Sequence, residues 1–202
     1  MGQYFDYNPN LKSDIHEIKY TFKGKELSFS VDNGMFSKNQ VDFGTNVLLN
    51  SLPDFENEKR ILDMGCGYGV IGLCLAKAYP TSLITMVDVN LKAVELSKSN
   101  AKNNHITNAS IICSNLYEYQ NEVNEEYDAI ITNPPIRAGK KVVHGIVING
   151  FKYLKKCGKI LLVIQKKQGA PSMEKLLFDV FGNVKTLEKK NGYYIFESVK
   201  EV

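Results

Sequence analysis

The feature that most limits the fold of this chain is an alternation of strand-like and helix-like segments from residue 60 onward. Short apolar runs predict strands at residues 60–64, 83–87, 110–113, 127–132 and 159–164. Apolar residues at helical spacing predict helices at residues 70–79, after Asn90, and at residues 142–154 and 172–181. Right-handed crossovers between such units require a parallel sheet with helices on both faces. We therefore predict a doubly wound α/β domain.

Antiparallel hairpins are predicted at both ends of this region. Residues 15–22 and 26–31 alternate around a Lys-Gly-Lys turn, and residues 184–190 and 193–199 flank Asn191-Gly192. A short helix with apolar positions between residues 47 and 52 is predicted to be capped by Thr45. We divide the chain into an N-terminal hairpin extension and cofactor-covering segment at residues 1–43 and a compact domain at residues 44–202.

Composition excludes several classes of protein. Hydrophobic residues at 44% and charged residues at 23% are ordinary globular values. No stretch predicts a membrane span or a signal peptide, and the four cysteines form no C-x-x-C pair, so a cytoplasmic protein with reduced thiols is expected. The three histidines lack the spacing of a metal site, and no metal is expected. Nothing in the sequence indicates the oligomeric state.

Positive charge is concentrated in the last third of the chain. Residues 137–190 contain 13 basic and 3 acidic residues, a net charge of +10, whereas the remainder carries −7. This asymmetry favours a polyanionic partner, most simply nucleic acid, on one side of the molecule. The alternative is that these lysines only solvate helix and strand faces.

Polar residues follow the predicted parallel strands at their carboxyl ends, where ligands bind in such sheets. Asp63 opens the loop Asp-Met-Gly-Cys-Gly-Tyr-Gly, whose glycines Gly65, Gly67 and Gly69 let the backbone approach a ligand. This spacing departs from G-x-G-x-x-G, and the chain has no phosphate-binding P-loop. Asp88 lies 19 residues past Gly69, where a carboxylate accepts hydrogen bonds from ribose hydroxyls.

The fourth strand ends in Asn133-Pro134-Pro135-Ile136. Two prolines remove two backbone donors and fix two φ angles, so the nearby carbonyls and the Asn133 amide form a rigid array of acceptors. Such an array can hold an amino group. If the Asn133 side-chain oxygen and the Pro134 carbonyl accept its two N–H bonds, the nitrogen lone pair turns toward an electrophile.

These motifs in this order resemble those of class I S-adenosylmethionine-dependent methyltransferases that modify amino or amide nitrogens. Residues 35–38 and 42–49, which read Met-Phe-Ser-Lys and Asp-Phe-Gly-Thr-Asn-Val-Leu-Leu, resemble more narrowly the methyltransferase small-domain family. Its bacterial members include 16S ribosomal RNA guanine-N2 methyltransferases. The resemblance covers essentially the whole chain and implies a Rossmann-like sheet of seven strands. Members often carry a second, degenerate domain ahead of the catalytic one, which we do not find in this sequence.

The resemblance also implies roles for individual residues. The cofactor S-adenosylmethionine would contact Asn133. Its other contacts would be Phe36, Thr45, Asp63, Gly65, Gly67, Gly69, Asp88 and Asn115. Asn133, Pro134, Pro135 and Ile136 would form the catalytic turn. Arg137, Lys140 and Lys141 would bind phosphates of ribosomal RNA or of the small ribosomal subunit, unless they are only the solvated start of a helix.

The substrate is predicted less sharply than the reaction. Many enzymes with this turn have an aromatic residue at the position of Ile136, where it stacks on the target. Its absence tilts the prediction away from protein-glutamine and adenine-N6 methylation, toward guanine N2 of ribosomal RNA. A non-catalytic module that senses the cofactor or binds RNA is the alternative from another class.

Overall fold

The computed structural model describes residues 14–32 and 40–202, with only the backbone at residues 122 and 123. The strands are β1 (Ile15–Phe22), β2 (Lys25–Asp32), β3 (Arg60–Met64), β4 (Leu83–Asp88), β5 (Ala109–Cys113), β6 (Tyr127–Thr132), β7 (Leu154–Gln165), β8 (Lys185–Lys190) and β9 (Tyr193–Val199). The helices are α1 (Phe43–Ser51), α2 (Val70–Ala78), α3 (Leu91–Asn103), α4 (Gln120–Val123), α5 (Lys140–Tyr153) and α6 (Ala170–Phe181). Turns of 3₁₀ helix lie at Ile136–Ala138 and Lys166–Gln168.

Seven strands form one sheet in the order β5-β4-β3-β6-β7-β9-β8, which confirms the predicted Rossmann-like architecture. The strands from β3 to β7 are parallel, and β8 and β9 are antiparallel. The chain runs outward from β3 to β5 and then returns to β6, which pairs with β3. The strand order therefore reverses between β3 and β6, which is where ligands bind in open sheets of this kind.

Apolar side chains fill both faces of the sheet. Along β3, Ile61 faces the core shared with α1, α2 and the hairpin, whereas Leu62 and Met64 face the core shared with α5 and α6. This alternation follows from the two-residue period of a strand buried on both sides. Asp63 shares the face of Ile61 and lies under α2.

The N-terminal hairpin, β1 and β2, is a separate two-stranded sheet that packs on α3. Asn100 of α3 and Asn104, the C-cap residue of the same helix, pair with the edge of β2 as a neighbouring strand would. Asn104 bonds the N–H and C=O groups of Ser28, and Asn100 bonds those of Ser30 at 2.8 and 3.0 Å. Asn100 also donates to the carbonyl of Tyr68 at 2.9 Å, so one buried amide ties the hairpin to the glycine loop.

Three local predictions are wrong. The N-cap of α1 is Asp42 rather than Thr45, because the Asp42 carboxylate accepts from the Gly44 and Thr45 N–H groups. Helix α5 begins at Lys140 and ends at Tyr153, two residues and one residue before the predicted bounds. Strand β7 begins at Leu154 rather than at the predicted residue 159, so Cys157-Gly158 lies inside the strand.

The error at β7 has a physical reason. Leu154 already pairs with Tyr127, and the strand then changes register before its regular pairing begins at Lys159. Cys157 adopts a φ of 64°, and a Cβ on Gly158 would lie 3.0 Å from the Tyr127 carbonyl. The glycine therefore permits the close approach of β6 rather than terminating a helix.

Candidate active site

The glycine loop and the proline turn meet where the strand order reverses. They follow the adjacent strands β3 and β6, and the Thr132 hydroxyl donates to the Met64 carbonyl at 2.7 Å, joining the two strand ends. A Cβ built on Gly65, which has a φ of 78°, would lie 3.8 Å from the Pro135 ring. The two motifs that sequence analysis singled out separately therefore line one crevice.

Helix α2 starts directly from the loop at Gly69, whose φ of 102° favours glycine. A Cβ there would lie 2.5 Å from the Ser97 hydroxyl oxygen and 2.9 Å from Leu73. The third glycine of the loop is thus required by packing of the loop against α3 and α2. Steric packing therefore explains why the third glycine of the loop falls at residue 69.

Asp88, at the end of β4, is partly buried beside the loop. One carboxylate oxygen accepts the Gly67 N–H and the other accepts the Asn90 N–H, each at 2.9 Å. Burial raises the pKa of Asp88, and these two backbone bonds oppose the rise. Each oxygen retains one lone pair, so the carboxylate can still accept two ligand hydroxyls. Asn90 also caps α3, the helix predicted to follow it.

Residues near Asp88 could contact the base of a nucleoside whose ribose is bound by Asp88. The Asn115 amide nitrogen donates to the Glu118 carboxylate at 2.6 Å, and the Asn115 side-chain oxygen has no hydrogen-bond partner among the described residues. Val89, between Asp88 and Asn90, is 40% exposed. Sequence analysis missed Val89, although an apolar residue directly after an acidic strand end was the available signal.

Asp63 is only 1% exposed and lies beneath the loop. One oxygen accepts the Gly72 N–H at 2.8 Å, and the other has no hydrogen-bond partner among the described residues. Burial, with a smaller contribution from the negative charge of Asp88, raises the pKa of Asp63 to about 7. A cationic ligand group near this carboxyl would favour its ionised form.

This pKa predicts a pH dependence of stability. The unfolded carboxyl has a pKa near 4, so between about pH 4 and pH 7 the folded protein binds more protons. Its free energy of unfolding therefore falls as pH rises through that window, and the slope ends above pH 7. Asp63→Asn removes the titration, so from pH 5 to pH 8 the variant should gain about 2 kcal/mol relative to wild type. Urea denaturation of the ligand-free proteins measures the free energy of unfolding of each. A difference between variant and wild type that is the same at pH 5 and at pH 8 would contradict the prediction.

The Asn133 amide is held by its nitrogen. That nitrogen donates to the Asp42 carboxylate at 3.0 Å and to the Thr45 hydroxyl at 2.9 Å. The Asn133 oxygen and the Pro134 carbonyl have no hydrogen-bond partner in the described part of the chain, whereas the Pro135 carbonyl accepts the Ala138 N–H. Two neighbouring acceptors are thus available beside the loop.

The remaining predicted residues have mixed positions. Ile136 is half-buried and packs against the α5 core. Arg137, in the 3₁₀ turn before α5, and Lys140 and Lys141, at the start of α5, are exposed. Thr45 lies beside Asn133 in the first turn of α1. Phe36 lies outside the described residues.

Two absences concern residues 14–32 and 40–202 only. No group of three or more histidine, cysteine, aspartate or glutamate side chains there could hold a metal ion. No helix in the same ranges has the length and apolar character to cross a membrane.

The architecture, with an acidic residue at the end of β4 and a glycine loop at the switch point, is that of a Rossmann-like methyltransferase that uses S-adenosylmethionine. The chain belongs to the methyltransferase small domain family, which it matches over residues 26–197.

Known relatives fall into two groups by length. The chain is 45% identical to the uncharacterized protein YbxB of Bacillus subtilis, over 98% of both chains. It is 34% identical to the ribosomal RNA small subunit methyltransferase C of Buchnera aphidicola, over 76% of this chain and 47% of that protein. A T. thermophilus 16S rRNA N2 guanine methyltransferase, solved with AdoMet and guanosine, is 26% identical with a TM-score of 0.82, over 95% of this chain and 52% of that one. The chain spans about half the length of these ribosomal RNA methyltransferases.

Proposed function

We propose that this protein transfers a methyl group from S-adenosylmethionine to the exocyclic N2 of a guanine in small-subunit ribosomal RNA. The observation that carries the proposal is the pair of unpartnered acceptors, the Asn133 oxygen and the Pro134 carbonyl, beside the glycine loop. The ribosomal RNA methyltransferases among its relatives support the substrate class.

The residues present fit the cofactor. Asp88 would accept the ribose hydroxyls, the Asn115 oxygen would accept the adenine amino group, and exposed Val89 would contact the adenine ring. The loop glycines would admit the methionine end, and the unpartnered oxygen of Asp63 would lie beneath it. When bound, S-adenosylmethionine supplies a methyl group that its sulfonium makes electrophilic.

The catalytic turn acts on the acceptor nitrogen. A guanine amine delocalises its lone pair into the ring. Two hydrogen bonds from its N–H groups, to the Asn133 oxygen and the Pro134 carbonyl, would draw the nitrogen toward a tetrahedral geometry and aim the lone pair along the reaction axis. Ile136 offers an apolar contact to the base rather than a stacking ring. The reaction needs no strongly basic group at the turn, because the amine can lose its proton after the methyl transfer.

The test is transfer of tritiated methyl to ribosomal RNA and to isolated small subunits, followed by nucleoside analysis. N2-methylguanosine as the product supports the proposal. Methylation only of protein glutamine or of adenine would overturn the substrate class. Binding of cofactor and RNA without product under single-turnover conditions would favour a non-catalytic module.

RNA contact by the start of α5 is tested in the same assay. Lys155, Lys159 and Lys175 form ion pairs, whereas Lys140 and Lys141 have no acidic partner among the described residues. Reversing both charges at Lys140 and Lys141 to glutamate should raise the KM for RNA roughly 10-fold or more and flatten its salt dependence, with unchanged cofactor affinity, because phosphate contacts are lost.

A matched control lies near the other end of the same helix. Lys152 and Lys156 are also exposed, and replacing both with glutamate changes the net charge by the same amount. They lie near the end of α5 and the start of β7, away from the carboxyl ends of the parallel strands. The control double variant should retain the KM of wild type. Equal effects of the two double variants would show that only net charge matters.

A further inference from the structure

An asparagine amide can present either its oxygen or its nitrogen to a ligand, so a catalytic acceptor needs something to fix its orientation. For Asn133 that fixing comes from the first turn of α1. Its nitrogen donates to both the Asp42 carboxylate and the Thr45 hydroxyl, at 3.0 and 2.9 Å. Both N–H bonds of the amide are thereby occupied.

The chemistry of these two partners allows only one orientation. The Asp42 carboxylate is an acceptor and has no proton to give. The Thr45 hydroxyl donates its single proton to the same carboxylate, so toward Asn133 it too can only accept a hydrogen bond. Turning the amide over would bring the Asn133 oxygen against two acceptors and leave its nitrogen facing the crevice. Repulsion therefore selects the orientation in which the oxygen faces outward.

The two partners are themselves held in place. The Asp42 carboxylate accepts the Gly44 N–H at 2.9 Å and the Thr45 N–H at 3.0 Å, and Thr45 is buried. A Cβ on Gly44 would lie 2.8 Å from the Tyr193 ring, so the turn is packed directly against β9. The orienting groups thus stand on the rigid start of a helix.

We propose that Asp42 and Thr45 are positioning residues, which orient Asn133 as the acceptor of the substrate's N–H bond. This inference rests on the proposed function, because the orientation matters only if the Asn133 oxygen receives the reacting amine. The carboxylate has a second effect: a charged acceptor on the amide nitrogen raises the electron density of the amide oxygen. Asp42 therefore strengthens the acceptor as well as aiming it.

The decisive variant is Asp42→Asn. Asparagine is as good an N-cap as aspartate, and its oxygen can still cap α1 through the Gly44 N–H. The new NH₂ group would replace the oxygen that accepts from Asn133, where it faces three donors, the Thr45 N–H, the Thr45 hydroxyl and the Asn133 nitrogen, and the orienting negative charge is gone. We expect kcat to fall on the order of 10-fold to 10²-fold, with the KM for RNA, the cofactor affinity and the melting temperature close to wild type. Thr45→Ser, which keeps the hydroxyl, should retain activity that Thr45→Val loses.

A double-mutant cycle separates positioning from a structural role. If Asp42 acts through Asn133, the Asp42→Asn change should cost nothing further in an Asn133→Ala background. A wild-type kcat for Asp42→Asn, or losses that multiply in the double variant, would overturn the inference. Failure of the proposed function is distinguishable, since wild-type protein would then form no N2-methylguanosine in RNA.

Discussion

Asn133→Ala should lower the rate of methyl transfer by on the order of 10²-fold or more while changing the affinity for S-adenosylmethionine little. The variant loses the acceptor that engages the amine as it reacts, and the Pro134 carbonyl remains. Single-turnover rates with saturating cofactor measure the first quantity, and calorimetry measures the second. The loss should appear in kcat, because the interaction strengthens as the nitrogen changes geometry.

Asn183→Ala is the matched control for this variant. Asn183 also makes side-chain hydrogen bonds, to the backbone of Phe181 and Val199, but it lies outside the crevice. Its loss should reduce stability and leave the rate per folded molecule unchanged. Turnover of Asn133→Ala within a few-fold of wild type would remove the side chain from the reaction.

Asp88→Ala should act mainly on cofactor affinity rather than on the rate, weakening cofactor binding about 10²-fold or more. Two ribose hydroxyls would lose a charged acceptor, and such hydrogen bonds contribute about 1.5–3 kcal/mol each. The change also frees the Gly67 N–H, so the loop loses one of its bonds to β4, while the backbone bonds from Gly65 and Cys66 to the Val87 carbonyl remain. Calorimetric titration with S-adenosylmethionine measures the affinity.

The control for Asp88 is Asp128→Ala. Asp128 likewise accepts two backbone N–H groups, from Lys59 and Arg60 at 2.9 and 2.7 Å, and it pairs with Lys155. It lies by the amino end of β3, away from the crevice. The control should unfold more easily yet bind the cofactor as wild type does. Matching affinities for Asp88→Ala and wild type would exclude the ribose role.

The regular strands were predictable because burial on both faces leaves a signal in sequence. The bounds of β3, β6 and β9 match the predictions. The α5–β7 boundary was not predictable, since a glycine after a helical run ordinarily ends a helix. Here Gly158 instead serves a contact with β6, a partner about thirty residues away in sequence, and only tertiary packing reveals that use.

The candidate site divides in the same way. Asp88 and Asn133 could be located because the ends of parallel strands converge at one edge of the sheet. Asp42 could not, because its bond to Asn133 joins residues 91 positions apart and leaves no local periodic pattern. Thr45 was noticed for its resemblance to the family, but its hydroxyl contacts Asn133. The cofactor contacts assigned to Thr45 and Phe36 stay predictions.

The Asn100 side chain couples the N-terminal hairpin to the glycine loop. Its amide is fully buried and serves Ser30 in β2 and Tyr68 in the glycine loop at once. A shortened protein that began at α1 would strip this amide of its β2 partners, and each buried polar atom left unpaired costs about 1–3 kcal/mol. The smallest unit that keeps the glycine loop well formed therefore includes the hairpin.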